Sequence, residues 1–294
     1  MPEIRAVQKV FADAVAPALK AAHKYKICDP GSPIGIFDSG VGGLTVLAEV
    51  VRALPLENVI YLADTARVPY GSRPPEEIIK INQQILNFFL KQEVKMVIIA
   101  CGTSSSIAYP KLKELYKIPL VEMIEPGSRA ALAATKNKKI GVIATQNTVD
   151  SGAYQDRLIE MNRQVEVIAA ACPLFVPLIE GGFINAVETK KVAEEYLKPL
   201  VKQRVDTLIL GCTHYPHLSK LLSGLINAAL VNPAVEAVRS AREILAKNNQ
   251  LKNCGGFGRY SYYTSSNPQQ FEVLGSKLFG RMISQVKEVT LDGL

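Results

Sequence analysis

Met96-Val97-Ile98-Ile99-Ala100-Cys101-Gly102-Thr103 and Thr207-Leu208-Ile209-Leu210-Gly211-Cys212-Thr213-His214 end alike. Each is an apolar run of the kind buried in a parallel sheet, then a small residue, then a cysteine where strand gives way to loop. In an open α/β sheet, ligands bind outside that end of the strands. Two thiols delivered this way, from two halves of one chain, would face each other across a cleft. Few reactions need a thiol on each side of one carbon atom.

Working outward, the halves resemble each other elsewhere. Ile34-Gly35-Ile36-Phe37-Asp38-Ser39-Gly40 matches Ile140-Gly141-Val142-Ile143-Ala144-Thr145-Gln146, 106 positions later, and the two cysteine strands are 111 positions apart. Two pairs at nearly one offset point to a duplicated α/β unit, with the site at the interface of the copies, where concave sites form.

Strand and helix patterns alternate along the rest. Strands are expected at 34–37, 58–62, 120–123, 140–144, 165–169 and 260–264, besides the two cysteine strands. Helices are expected at 43–53, 75–92, 104–117, 127–136, 150–161, 185–203, 218–228, 234–247 and 268–285. An apolar stretch fills 171–179. This alternation predicts the α/β class, as two pseudo-symmetric domains, each a mainly parallel sheet flanked by helices, with the active site in the cleft between them. The expected division is an N-terminal helical extension at 1–32, where Val7, Val10, Phe11, Val15, Ala18 and Ala22 recur at helical spacing before Asp29-Pro30-Gly31. A first domain takes 33–125 with 230–294, and a second takes 126–229. The tail is returned to the first unit because that unit otherwise lacks cover.

Composition bounds the function. The 294 residues are 48% hydrophobic and 21% charged, an ordinary globular balance with length enough for a large core. No apolar run has the roughly 18 residues of a membrane span. Charges from Arg5 through Lys26 interrupt any secretory signal. A cytoplasmic protein without membrane attachment is expected. The net charge of +7 is spread along the chain without interleaved aromatics, so no nucleic-acid partner is expected. The five cysteines, at 28, 101, 172, 212 and 254, are odd in number and far apart, and three histidines accompany them. Neither a disulfide framework nor a metal site is expected. Cys172 reads as a small core residue, and Cys28 and Cys254 as surface.

Asp38-Ser39-Gly40-Val41-Gly42-Gly43 follows a strand and opens a helix, so its amides and Ser39 are candidates to cradle a small anion, with Asp38 as a polar partner. A dinucleotide fingerprint is incomplete, because Thr45 stands where a small residue is required, although Asp64 lies about 20 residues on. Cys101 is followed by Gly102-Thr103-Ser104-Ser105-Ser106. Isoleucine at position 107 excludes a phosphatase Cys-x5-Arg loop. Cys212-Thr213-His214 sets an imidazole near a thiol; only about 3% of an ordinary thiol is thiolate at neutral pH, so an adjacent base or proton shuttle helps. Cys–His hydrolases are the rival reading, but they need neither the second thiol nor the repeat. Tyr70-Gly71 is a turn able to reach the cleft. Glu180 lies between an apolar run and a Gly pair.

At these residues the chain resembles the glutamate racemases of the aspartate/glutamate racemase superfamily. The matching stretches are IGIFDSGVGGLTVL (34–47), YLADTARVPYGSR (61–73), IIACGTSSS (98–106), IGVIATQNTVDSGAY (140–154), CPLFVPLIEGG (172–182) and DTLILGCTHYPHL (206–218), with a weaker YTSSNPQQF (263–271). The resemblance implies interconversion of L- and D-glutamate without a cofactor, supplying D-glutamate to peptidoglycan, by an enzyme able to form a homodimer. It implies Cys101 and Cys212 as the acid/base pair, assisted by Asp38, Glu180 and His214. Substrate would be lined by Asp38, Ser39, Tyr70, Gly71, Gly102, Thr103, Thr213 and His214. Two positions depart from the family pattern. Gly102 replaces the family's Asn after the first Cys, and Asn232 replaces an Asp. Loss of one charge-assisted contact is worth roughly 1.5–3 kcal/mol. A racemase for aspartate or another acidic amino acid, or a homologue that binds without turnover, remains the alternative.

Overall fold

The structure, a computed structural model, describes residues 29–293. The helix expected from Val7 to Ala22, and with it Cys28, lies outside the described residues. In chain order the strands are β1 (Ile34–Asp38), β2 (Val59–Ala63), β3 (Met96–Ile99), β4 (Leu120–Val121), β5 (Lys139–Ala144), β6 (Glu166–Ala171), β7 (Thr207–Leu210), β8 (Ala229–Val231), β9 (Tyr260–Thr264) and β10 (Lys287–Glu288). They form a six-stranded sheet, β10-β9-β2-β1-β3-β4, and a four-stranded sheet, β6-β5-β7-β8. Every pairing is parallel. The run β2-β1-β3-β4 and the run β6-β5-β7-β8 have one order, second-first-third-fourth, which is the duplication expected from the sequence.

The central strands β1, β2, β3 and β7 have no exposed residue, as sheets covered on both faces require. Over one face of the first sheet, the helix Leu44–Ala53 and the helix Pro233–Lys247 bury Leu44, Leu47, Val50, Ala237, Val238 and Leu245 in a single apolar cluster. The other face is covered by the helix Pro75–Lys91, whose Ile78, Ile81, Ile85, Leu86 and Phe89 recur at helical spacing. That helix begins on Pro75 with Glu76 and Glu77 in its first turn and Lys91 in its last, complementing its dipole. Two further clusters flank the second sheet. The tail rejoins the first sheet because β9 pairs with β2 along five residues, from Val59↔Tyr260 to Ala63↔Thr264. Two lobes of mainly parallel sheet flanked by helices result. No helix among the described residues is long and apolar enough to cross a membrane.

Several element boundaries differ from the sequence expectation. The helix expected at 104–117 is two, Gly102–Ile107 and Tyr109–Leu115, because Pro110 cannot donate to the preceding turn and begins a new helix. The helix expected at 150–161 is also interrupted: Gly152 at φ +66 separates Gln146–Asp150 from Ala153–Met161. The last helix stops at Phe279, where Gly280 takes the left-handed C-terminal position at φ +69, rather than running to 285. Helix over 218–228 shrinks to the turn Tyr215–Leu218 and the helix Ser219–Ser223, and the apolar residues after it form β8, a strand not expected. β10 was also not expected; its two exposed, charged residues carry no strand pattern.

Candidate active site

In each sheet the strand order reverses between the first and third strands, and that reversal opens a crevice at their carboxyl ends. Asp38 ends β1 and Cys101 follows β3 in the first sheet; Thr145 follows β5 and Cys212 follows β7 in the second. The backbone repeats as well, since the Ala100 N–H donates to the Phe37 carbonyl at 2.9 Å and the Gly211 N–H to the Ile143 carbonyl at 2.7 Å. The cysteines thus occupy equivalent places in the two lobes.

The two crevices meet. Thr213 Oγ1 donates to Asp38 Oδ1 at 3.4 Å, and the Thr213 carbonyl accepts from Thr45 Oγ1 at 2.9 Å. The Thr103 and Thr145 hydroxyls are 2.9 Å apart, and Thr145 continues to Thr148 at 2.9 Å. Asn147 Nδ2 donates to the Tyr70 carbonyl at 3.0 Å and the Arg73 carbonyl at 2.8 Å. Two glycines make this approach possible. A Cβ on Gly42 would lie 2.4 Å from both His214 Nδ1 and Thr213 Oγ1, and one on Gly102 would lie 2.3 Å from the Gly211 carbonyl oxygen. Gly102 is therefore more than a lost amide. The backbone opposite leaves no room for a side chain while the lobes are this close.

Around Cys101 the surroundings are anionic and dry. The thiol is 5% exposed, and its pKa is pushed up to about 12, first by burial and then by Asp38, with Cys212 adding to the rise. The two sulfurs are thus close enough to feel each other's charge. Asp38 Oδ2 accepts from the Gly40 and Gly43 N–H groups at 3.2 and 3.0 Å. Burial raises the Asp38 pKa, against the lowering effect of His214 and these two amides. Two of the amides expected to cradle an external anion, those of Gly40 and Gly43, are thus taken by Asp38 itself. The Tyr61 hydroxyl, donating to the Gly40 carbonyl at 2.8 Å, fixes the same turn.

Around Cys212 stands a cation. Its Sγ is 3.9 Å from His214 Nδ1, and His214 Nε2 is 2.8 Å from Glu180 Oε1. Burial alone would lower the pKa of this imidazole, but Cys212, Glu180 and Asp38 outweigh it and raise it to about 10. At neutral pH His214 is an imidazolium with one N–H toward sulfur and the other toward Glu180. Glu180 closes the short helix Phe175–Glu180 and reaches His214 from outside, its side chain 31% exposed.

The remaining expected residues fall around this junction in different ways. Tyr70 is buried and its hydroxyl donates to Asp64, while Gly71 packs against Thr145. Ser39 is half-buried at the end of β1. The Thr103 hydroxyl is engaged by Thr145 across the junction. Asp64, about 20 residues beyond the incomplete fingerprint, is bound by Arg67 Nε at 2.8 Å, Ser265 Oγ at 2.7 Å and Tyr70. Asn232 is the N-cap of the helix Pro233–Lys247, accepting from the Ala234 N–H at 3.1 Å, a role an amide fills as well as a carboxylate. Sequence reading missed Thr145, Asn147 and Thr148. Thr145 precedes a helix whose Thr148 N–H it accepts, and this capping pattern was legible in Thr145-Gln146-Asn147-Thr148. A recess of about 110 Å³ opens beside the junction, lined by Gly40, Thr65, Val68, Glu180, Ser266 and Gln270 among others.

Known proteins resemble this chain over most of its length. The family model described as Asp/Glu/Hydantoin racemase matches residues 34–241. The chain is 42% identical to a glutamate racemase of Geobacter metallireducens over 265 residues, 90% of this chain and 98% of that protein. It superimposes on the crystal structure of glutamate racemase from Francisella tularensis in complex with D-glutamate with a TM-score of 0.85, at 35% identity, covering 90% of this chain and 100% of that one. Glutamate racemase from Thermus thermophilus, in complex with beta-chloro-D-alanine, gives 0.83 at 39% identity, covering 91% and 100%.

Proposed function

Because this chain belongs to the Asp/Glu/Hydantoin racemase family, we propose that it is a glutamate racemase, interconverting L- and D-glutamate by passing the α-proton between Cys101 and Cys212. Inversion at a carbon requires removing hydrogen from one face and returning one to the other. Two residues on opposite sides do this without turning the substrate over. One sulfur starts as thiolate and takes the α-proton while the other, as thiol, delivers its proton to the opposite face. Their protonation states are then exchanged, and the reverse reaction begins from that state.

The single observation carrying this reading is that two equivalent strand ends deliver buried thiols to one interlobe junction. The Cys101 thiol, held protonated by burial and Asp38, suits the donor role in the resting enzyme. His214 suits a proton partner of Cys212, with Glu180 orienting it. The developing carbanion needs stabilisation in a site from which water is excluded. Thr213, Ser39 and amides at the strand ends are the donors available for it. D-Glutamate for peptidoglycan, a cytoplasmic place of action and a homodimer belong to the same reading on family likeness, and sedimentation tests the last.

The test is direct. Solvent deuterium is expected at the α-carbon of glutamate, and circular dichroism should follow racemisation from either enantiomer. Cys101→Ala and Cys212→Ala should each abolish it. Undiminished turnover in either variant refutes the two-thiol scheme, and turnover of aspartate but not glutamate refutes the substrate.

A further inference from the structure

Both thiols are buried, with 5% exposure at Cys101 and 8% at Cys212, so substrate reaches them only when the lobes part. Parting breaks the bonds that cross the junction. Thr45 to Thr213, Thr213 to Asp38 and Thr103 to Thr145 are single hydroxyl contacts around the strand ends. Asn147 differs, because one side chain crosses twice. Its Nδ2 donates to the Tyr70 carbonyl at 3.0 Å and to the Arg73 carbonyl at 2.8 Å.

Local chemistry sets both ends of this contact. On the first lobe the turn Tyr70–Ser72 is fixed from within: the Tyr70 ring lies in the apolar cluster that contains Cys101, and its hydroxyl donates to Asp64. Arg73 precedes Pro74 and is extended at φ −82 and ψ 153, so its carbonyl stands outside the helix Pro75–Lys91. On the second lobe Asn147 is the second residue of the helix Gln146–Asp150, which Thr145 caps. That cap already meets the turn, since a Cβ on Gly71 would lie 3.0 Å from the Thr145 Cβ. Two carbonyl oxygens leave only the NH2 end of the amide to face them, and each of its hydrogens takes one.

We propose that Asn147 is a positioning residue: it latches the Tyr70–Arg73 turn to the second lobe and holds the closed form in which Cys101 and Cys212 flank the substrate. The proposal rests on the two-thiol reading above and adds to it the device that opens and closes the site. Two neutral hydrogen bonds favour the closed form by about 10-fold. That is enough to help exclude water during turnover and weak enough to let product leave. The Asn147 amide bonds to neither thiol, so it acts on the population of the closed form and not on proton transfer.

The experiment compares the intact protein with Asn147→Ala and Asn147→Asp. Alkylation by iodoacetamide without substrate, read at each cysteine by peptide mass spectrometry, should rise about 10-fold at Cys101 and Cys212 together in Asn147→Ala. Saturating glutamate closes the lobes without the latch, so KM should rise about 10-fold for either enantiomer while kcat stays within about 2-fold. Aspartate suits the first turn of a helix, so Asn147→Asp keeps the helix Gln146–Asp150, but its carboxylate meets two carbonyl oxygens. It should open the site at least as far as alanine does. The proposal is overturned if the thiols are alkylated no faster, if only one responds, if kcat falls at unchanged KM, or if aspartate behaves as the parent. Racemisation surviving Cys101→Ala would instead sink the two-thiol reading, and the alkylation measurement, which needs no turnover, distinguishes the two failures.

Discussion

The Cys101 corner and the Cys212 corner share a strand, a small residue and a thiol at one height in the sheet, yet the two sulfurs have different surroundings. Cys101 is buried, and the nearby Asp38 carboxylate opposes its thiolate. Cys212 has an imidazolium at 3.9 Å, itself held by Glu180. Duplication accounts for the geometry, because parallel strands in one order bring equivalent residues to equivalent places. The chemistry comes from the few residues after each strand, which differ freely between copies. A reaction that interchanges its two ends needs symmetric positions but not symmetric helpers.

The largest effect on turnover, short of removing a thiol, should come from His214→Asn. Asparagine preserves hydrogen bonding but cannot carry a proton, so kcat/KM should fall about 100- to 1,000-fold. A loss of less than about 10-fold, measured by circular dichroism at pH 7, would break the contrast drawn between the corners.

Next in size is Gly102→Ala. A methyl group there meets the Gly211 carbonyl oxygen at 2.3 Å, and that partner is backbone rather than a flexible side chain. The lobes must part, straining the Thr103–Thr145 contact. Overpacking of this kind costs about 1–3 kcal/mol, and a fall of about 10-fold in kcat/KM is expected. An unchanged rate would show that the lobes work further apart than they stand in this structure.

The two corners also show how far a sequence can be read. The central strands were legible because strands buried on both faces are plain apolar runs, and the thiols were legible because they end such runs. Glu180 was readable only by resemblance; its chain segment is an apolar helix of one turn and a half, and nothing local says that its carboxylate meets His214, 34 residues away. That the Gly40 and Gly43 amides turn to Asp38 was not legible, because a Gly-rich strand-to-helix loop looks the same whether its amides bind a ligand or its own carboxylate. β8 and β10 were missed because edge strands of two or three residues carry too few side chains to show a period.

Glu180→Gln sharpens the contrast through pH. Glu180 raises the His214 pKa by favouring the imidazolium, so its neutral replacement should move the basic limb of the pH–rate profile downward from about 10. Its carboxylate is partly exposed and screened, so the loss at neutral pH should be modest, about 3-fold. A basic limb that stays in place would mean that His214 does not set it.

The smallest effect on turnover is expected from Glu122→Gln, where stability rather than rate should respond. Glu122 follows β4 at the crossing from one lobe to the other, and its carboxylate accepts from the Ile124 and Glu125 N–H groups, the latter at 2.8 Å. Burial raises its pKa to about 7, against these amides and Arg157, with Glu125 adding to the rise; Tyr109 and Tyr154 are the other titratable groups that sense it. A carboxyl whose folded pKa lies above its unfolded value favours folding while protonated. Its contribution is complete below about 4.5 and is lost as pH rises to about 7, a change of about 3 kcal/mol at 1.36 kcal/mol per unit. Glutamine does not titrate, so urea unfolding should show the variant gaining on the parent through that window and the difference levelling above it. A difference independent of pH would mean that the buried carboxyl is ionised throughout, and an altered racemisation rate would mean that the crossing is coupled to the thiols.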